Sequence, residues 1–234
     1  TANNQRFDEY SKIAANLYRQ LFQPLHINSG RVIISPGEDL IPFEVLLAED
    51  GPLLKKFAFS YTYSAELLFR KQTRENTAGS FLGIAPVNYK KYLSQPSLTG
   101  SGKSLNTISS FFHQPELLIN ETATRSAFFK NLPRYKIVQL YSHGYSEGAD
   151  PVLYFNDSIV KLSEIQQINN IGTEMIALSA CETGTGKIAE GEGVFSFARG
   201  FYAAGIPSLL TTLWQVDDRA TYSITELFYK HLQK

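Results

Sequence analysis

Cys181 is the only cysteine in the 234-residue chain, and it ends the apolar run EMIALSA at 174–180. His143 ends a second such run, KIVQLYS at 136–142, and Gly144 follows it. A thiol at one strand end and an imidazole at another are the two parts of a nucleophile and its base. A free thiol has a pKa of about 8.5 and is mostly protonated at neutral pH. A neighbouring imidazole can take its proton or hold the thiolate as an ion pair. The thiolate then attacks a peptide carbonyl, and the backbone N–H groups of Gly144 and Cys181 are candidate donors to the oxyanion. His143 returns the proton to the leaving amine. No third residue that would orient the imidazole is apparent from the sequence. The structural alternative is equally simple: a lone cysteine after an apolar strand is a small buried residue, and a histidine before glycine is a turn residue. Spacing alone leaves both readings open.

Other chemistries fit less well. The phosphate-loop pattern G-x-x-x-x-G-K-[ST] is approached twice and missed twice. SLTGSGKS at 97–104 begins with Ser97 behind Pro96, and CETGTGKI at 181–188 begins with Cys181 and ends with Ile188. His26, His113 and His231 share no metal-ligand spacing, so no metal or other cofactor is expected. A single cysteine excludes an internal disulfide and suits a reducing compartment, which points to the cytoplasm. Formal net charge is +0, and basic residues occur only in short pairs such as Lys55–Lys56 and Lys90–Lys91. Nothing here argues for nucleic acid or an anionic membrane as a partner. The longest uncharged run, between Arg199 and Asp217, contains Pro207 and three serine or threonine hydroxyls and is too short for a clear span. No secretory signal pattern opens the sequence. A start at Thr1 with Met175 as the sole methionine is what a piece of a longer protein would show.

The elements that must position the pair come from periodicity. Phe7, Tyr10, Ile13, Ala14, Leu17 and Leu21 predict a helix over 7–22, ended by Pro24. RVIIS at 31–35 and FAFSYTYS at 57–64 read as strands, 42–48 as a short helix, and AELLFRKQ as a further helix. A second series follows. SFLGIAP at 80–86 is an apolar strand, 88–103 a polar surface loop, and 104–113 and 122–131 helices, the latter capped by Thr122 or Thr124. VLYFN at 152–156 reads as half of a hairpin, and SEIQQIN at 163–169 as a helix capped by Ser163. After EMIALSA come a helix over 193–204, the strand PSLLTTLW at 207–214, and a last helix over 217–232 capped by Asp217 or Asp218. Strands alternating with helices, several apolar throughout, predict an α/β sandwich with a largely parallel sheet. In such sheets ligands bind at the carboxyl ends of the strands, where His143 and Cys181 both fall.

The runs RVIISPGEDLIPFEVLL, YTYSAELL, ATRSAFFKNLPRYKIVQLYSHG, ALSACETGTGKIAEGEGVFSFARGFYAAGIPSLLTTLWQVDD and LFYKHLQK span nearly the whole chain from residue 31. Together they resemble the CHAT domain, a caspase-like, separase-related family often joined to tetratricopeptide repeats. The resemblance implies a three-layer α/β/α caspase-like sandwich in residues 79–234, preceded by a smaller, non-catalytic pseudo-caspase-like half in residues 1–78. It implies a cysteine endopeptidase with His143 and Cys181 as its dyad. The expected partners are a protein substrate and the N-terminal repeat region of a parent chain, which would regulate the site. By analogy with separase, Asp218, with its neighbour Asp217, is a candidate for recognising a basic side chain before the scissile bond. Glu182, beside the nucleophile, and Glu192 are further candidates to supply charge or hold the loop. Trp214 could line the cleft, although core packing explains it as well. The competing reading is a non-proteolytic caspase-like scaffold for assembly or signalling. Polar stretches 88–103 and 183–192 are candidate sites of self-cleavage.

Overall fold

The computed structural model describes residues 2–35, 41–62, 79–145, 150–168, 172–182, 192–212 and 217–233. The predicted helix AELLFRKQ, the 183–191 loop and Trp214 lie outside them. The chain forms two compact units, Thr1–Gln72 and Thr73–Lys234.

The first unit opens with helix α1 (Ala2–Leu17), which widens into a π-turn at Tyr18–Phe22 before a 3-10 turn containing Pro24. Strands β1 (Gly30–Ile34) and β4 (Phe57–Tyr61) pair in parallel. The expected helix at 42–48 is instead a single 3-10 turn, Phe43–Val45, running into the small antiparallel pair β2 (Leu47–Ala48) and β3 (Gly51–Pro52). Pro42 is extended rather than helical, and Gly51, at φ +116°, makes the reversal that a helix would forbid. The core of this unit is aromatic: Phe22 meets Phe57 and Phe59 edge-on, with Leu46 and Leu53 beside them.

The second unit is built on a seven-stranded, mostly parallel sheet. Its path runs β11 (Ser208–Thr211), β10 (Met175–Glu182), β7 (Tyr135–Tyr145), β5 (Gly79–Ala85), β6 (Glu116–Ile119). An antiparallel hairpin, β8 (Val152–Tyr154) and β9 (Ile159–Lys161), joins β7 near its carboxyl end. Alternation along the strands sorts the apolar residues to two faces. Leu82, Ile84, Val138, Leu140, Ile176 and Leu178 pack against α3 (Arg125–Asn131), α4 (Leu162–Gln166) and α5 (Glu192–Ala203), through Phe128, Ile165 and Phe201. Phe81, Ala85, Tyr141 and Ala177 face α2 (Ser101–Ser109) and α6 (Asp218–Leu232), through Leu105, Ile108 and Tyr229. Helices on both faces explain why these strands are apolar in both registers. The result is the three-layer α/β/α architecture that the sequence predicts.

Several local expectations change. β6 (ELLI) reads as no element in the sequence, because four residues between polar flanks carry too little periodicity. Helix α3 is capped by Thr124, whose side chain accepts from the Ala127 N–H at 3.1 Å. Ser163 is no cap: its hydroxyl donates to Asp150 at 2.7 Å, while Glu164 reaches back to the Lys161 N–H at 2.9 Å. β7 does not stop before His143 but carries His143, Gly144 and Tyr145 as strand residues.

Candidate active site

Parallel pairing between β7 and β10 fixes the register of the two reactive positions. His143 is the direct partner of Cys181, and Gly144 of Glu182. Both pairs lie at the carboxyl ends of adjacent strands, beyond the point where β5 has left the sheet at Ala85. The side chains of Cys181, Glu182 and Glu192 are outside the described residues. Gly144 is also paired with Leu153 of β8, so the glycine backbone is held on both sides.

His143 is 3% exposed. Its Nε2 lies 2.9 Å from the Pro96 carbonyl oxygen. A carbonyl oxygen can only accept, so Nε2 carries the hydrogen and Nδ1 is the basic nitrogen of the neutral ring. The sequence offers no third group to orient this imidazole; the structure supplies one from a main chain. Burial holds the His143 pKa below its ordinary value, while the Pro96 contact and the charge of Asp218 act in the opposite direction. The net lowering keeps the ring neutral at neutral pH, the form a general base needs. Tyr89 lies against the ring, with centroids 5.2 Å apart, and its hydroxyl accepts from the His143 backbone N–H at 3.3 Å.

A pocket opens at His143. Pro96, Ser97 and Leu98 form one wall, Ser142 and Ser179 the sheet side, and Asp218, Thr221 and Tyr222 of α6 the other wall. Buried Tyr141 also lines it, and its hydroxyl is hydrogen-bonded to Ser104 at 2.9 Å. Burial pushes this phenol up to about 12. Gln139, fully buried, donates to Ser179 at 3.1 Å. The two adjacent aspartates have different places. Asp217 is the N-cap of α6, and its carboxylate accepts from the Arg219 and Ala220 N–H groups at 3.0 and 3.2 Å. Asp218, one residue on, faces the His143 pocket.

Pro96, Leu98 and Tyr89 come from the stretch read as a surface loop. Leu98 is buried, and its N–H donates to the Val87 carbonyl at 2.9 Å. The isolated Tyr89 and Leu98 within a polar run were the available signals; a proline carbonyl that orients an imidazole has none. Among the described residues no cluster of three His, Cys, Asp or Glu side chains could hold a metal ion, and no helix is long and apolar enough to cross a membrane.

A family profile for the CHAT domain matches residues 11–234. The chain belongs to the CHAT domain family. CHAT domains are related to the caspase-like cysteine peptidases, which agrees with the sheet and its flanking helices. Among curated proteins no significant relative of this CHAT domain is found. Among solved structures it is similar to a Geobacter sulfurreducens protein determined as a structural-genomics target, with 13% identity and a TM-score of 0.36. That alignment covers 66% of this chain, and the chain spans 64% of that protein's length.

Proposed function

We propose that this CHAT domain is a cysteine endopeptidase in which Cys181 is the nucleophile and His143 the base. The observation that carries this reading is the register: positions 143 and 181 are direct partners on adjacent parallel strands. Position 181 continues the odd-numbered series of Ala177, on the α6-facing side of the sheet, and of Ser179, which lines the His143 pocket. His143 is tied at Nε2 and neutral at working pH, so Nδ1 accepts the thiol proton. The thiolate adds to the peptide carbonyl, and the N–H groups of Gly144 and Cys181 stabilise the oxyanion. The imidazolium then protonates the leaving amine, and water hydrolyses the thioester.

Asp218 supplies the negative charge of the pocket, against walls that include Leu98 and Tyr222. A carboxylate beside apolar surface suits a long basic side chain, so Arg or Lys is the proposed residue before the scissile bond. Asp217 contributes by holding the helix start, and Glu182 by charge beside the nucleophile. In this reading the Thr73–Lys234 unit is the catalytic half and the Thr1–Gln72 unit the non-catalytic half. The enzyme acts on a protein in the cytoplasm and is gated by repeats of a parent chain.

A peptidyl electrophile ending in arginine, applied to the full-length protein in its activated state, is expected to label Cys181. Labelling is lost in Cys181→Ala and His143→Ala. Comparison of new protein N-termini between wild type and Cys181→Ala then reads the substrate and the residue before the cut together. If the activated full-length protein generates no new N-termini, the scaffold reading replaces this one.

A further inference from the structure

The His143 backbone sits where the sheet loses a strand. The last β5 residue paired with β7 is Ile84, opposite Leu140. The hairpin strand β8 reaches β7 only from Gly144 onward. Between these points neither β5 nor β8 pairs with His143, and a buried amide needs an acceptor. The Tyr89 hydroxyl fills that place at 3.3 Å, while the same side chain lies against the imidazole at 5.2 Å between centroids and 42° between planes.

Tyr89 is not an isolated contact. The segment from Val87 to Leu98 closes on itself through Leu98 N–H to the Val87 carbonyl at 2.9 Å and Ser97 Oγ to Asn88 Oδ1 at 2.8 Å. It is fixed to the β8–β9 turn by Lys90 N–H to the Asn156 carbonyl at 2.9 Å and Asn156 Nδ2 to the Asn88 carbonyl at 2.8 Å. One strap therefore holds the imidazole at two points: Tyr89 on its ring and backbone, Pro96 on its Nε2.

We propose that Tyr89 is a positioning residue for His143, accepting from its amide and backing its ring so that Nε2 stays on Pro96 and Nδ1 stays on the substrate side. The proposal rests on the peptidase reading for its consequence, but not for its geometry. Burial pushes the Tyr89 hydroxyl above the usual phenol range, so it remains neutral while His143 titrates. Among the described residues, the polar side chains lining the pocket with His143 include Ser97, Ser142, Ser179, Asp218, Thr221 and Tyr222.

The test uses the whole chain with Tyr89→Phe and Tyr89→Leu, with the exposed Lys91→Ala as control. Amide exchange at His143 and the imidazole nitrogen shifts are read by NMR in a Cys181→Ala background. Cleavage of an arginine peptide is read with the thiol intact. Tyr89→Phe is expected to speed His143 amide exchange about tenfold while keeping the ring in place and most of the turnover. Tyr89→Leu is expected to mix the two tautomers and lower kcat by about 10- to 100-fold with KM within about twofold, the signature of a displaced base. Wild-type tautomer and exchange in Tyr89→Leu, or a loss confined to KM, overturns the proposal. If Tyr89→Leu does not fold, unchanged exchange in Tyr89→Phe does the same. If the wild type neither labels nor cleaves, the peptidase reading falls, and the NMR arm still decides whether Tyr89 positions the ring.

Discussion

At the scale of single residues, His143 stands between opposed influences. Burial disfavours its charged form; Asp218 and the Pro96 carbonyl favour it. Removing the Asp218 charge takes away one of the two restraining influences, so Asp218→Asn is expected to lower the His143 midpoint further. NMR titration of the imidazole in a Cys181→Ala background checks this, and an unchanged or higher midpoint would refute it. The same shift links to stability. The folded pKa lies below the ordinary value of 6.5, so folding favours the neutral ring. That contribution is complete above about 6.5 and is lost as pH falls through the folded value. The paired positions 143 and 181 are legible in the sequence because each ends an apolar run. The group that orients the imidazole is not, because a main-chain carbonyl carries no residue-type signature.

At the scale of elements, Asp217 and Asp218 show how one turn of helix separates two tasks. Asp217 accepts from two N–H groups that α6 leaves unpaired at its start. Asp217→Ala is expected to cost about 1 kcal/mol, the usual loss for such a cap, and Asp217→Ser to recover most of it. Asp218→Asn should stay within about 0.5 kcal/mol, as for an exposed surface change. Urea midpoints at constant slope measure all three, and the reverse order would mean that the cap is misassigned. The strands β5, β7 and β10 are readable from sequence because burial on both faces demands unbroken apolar runs. β6 and the last residues of β7 are not, because their pairing is decided by neighbours far along the chain. The strap fails for a related reason: its polar composition matches an exposed loop, and only the contacts of Tyr89, Pro96 and Leu98 reveal that it covers a histidine.

At the scale of the whole molecule, the two units are unequally built. The Thr73–Lys234 unit has a core on each face of its sheet, with Phe81, Phe128, Leu105, Leu140 and Phe201 fully buried. Each such side chain contributes roughly 1.5–3 kcal/mol relative to exposure. Among the described residues, the Thr1–Gln72 unit buries Ala14, Phe22, Leu46, Leu53 and Phe57 around two two-stranded sheets. A sheet of two strands is marginal without further cover. Large apolar side chains of this unit also remain in water: Phe7 is 65% exposed, Ile13 54%, Leu25 57% and Ile33 54%. The first unit should therefore open at lower denaturant than the second, so that unfolding of the chain is not two-state. Tyr10, Tyr18 and Tyr61 report on the first unit, and buried Tyr141 of β7 and Tyr229 of α6 on the second. Hydrogen exchange resolved by peptide should lose protection over β1 and β4 at a urea concentration where β5, β7 and β10 are still protected. Because the proposed dyad, the strap and the Asp218 pocket all belong to the second unit, thiol labelling of Cys181 should survive that first transition. A single coincident loss of protection in both units, with labelling lost at the same urea concentration, would instead mean that the site depends on the first unit for its integrity.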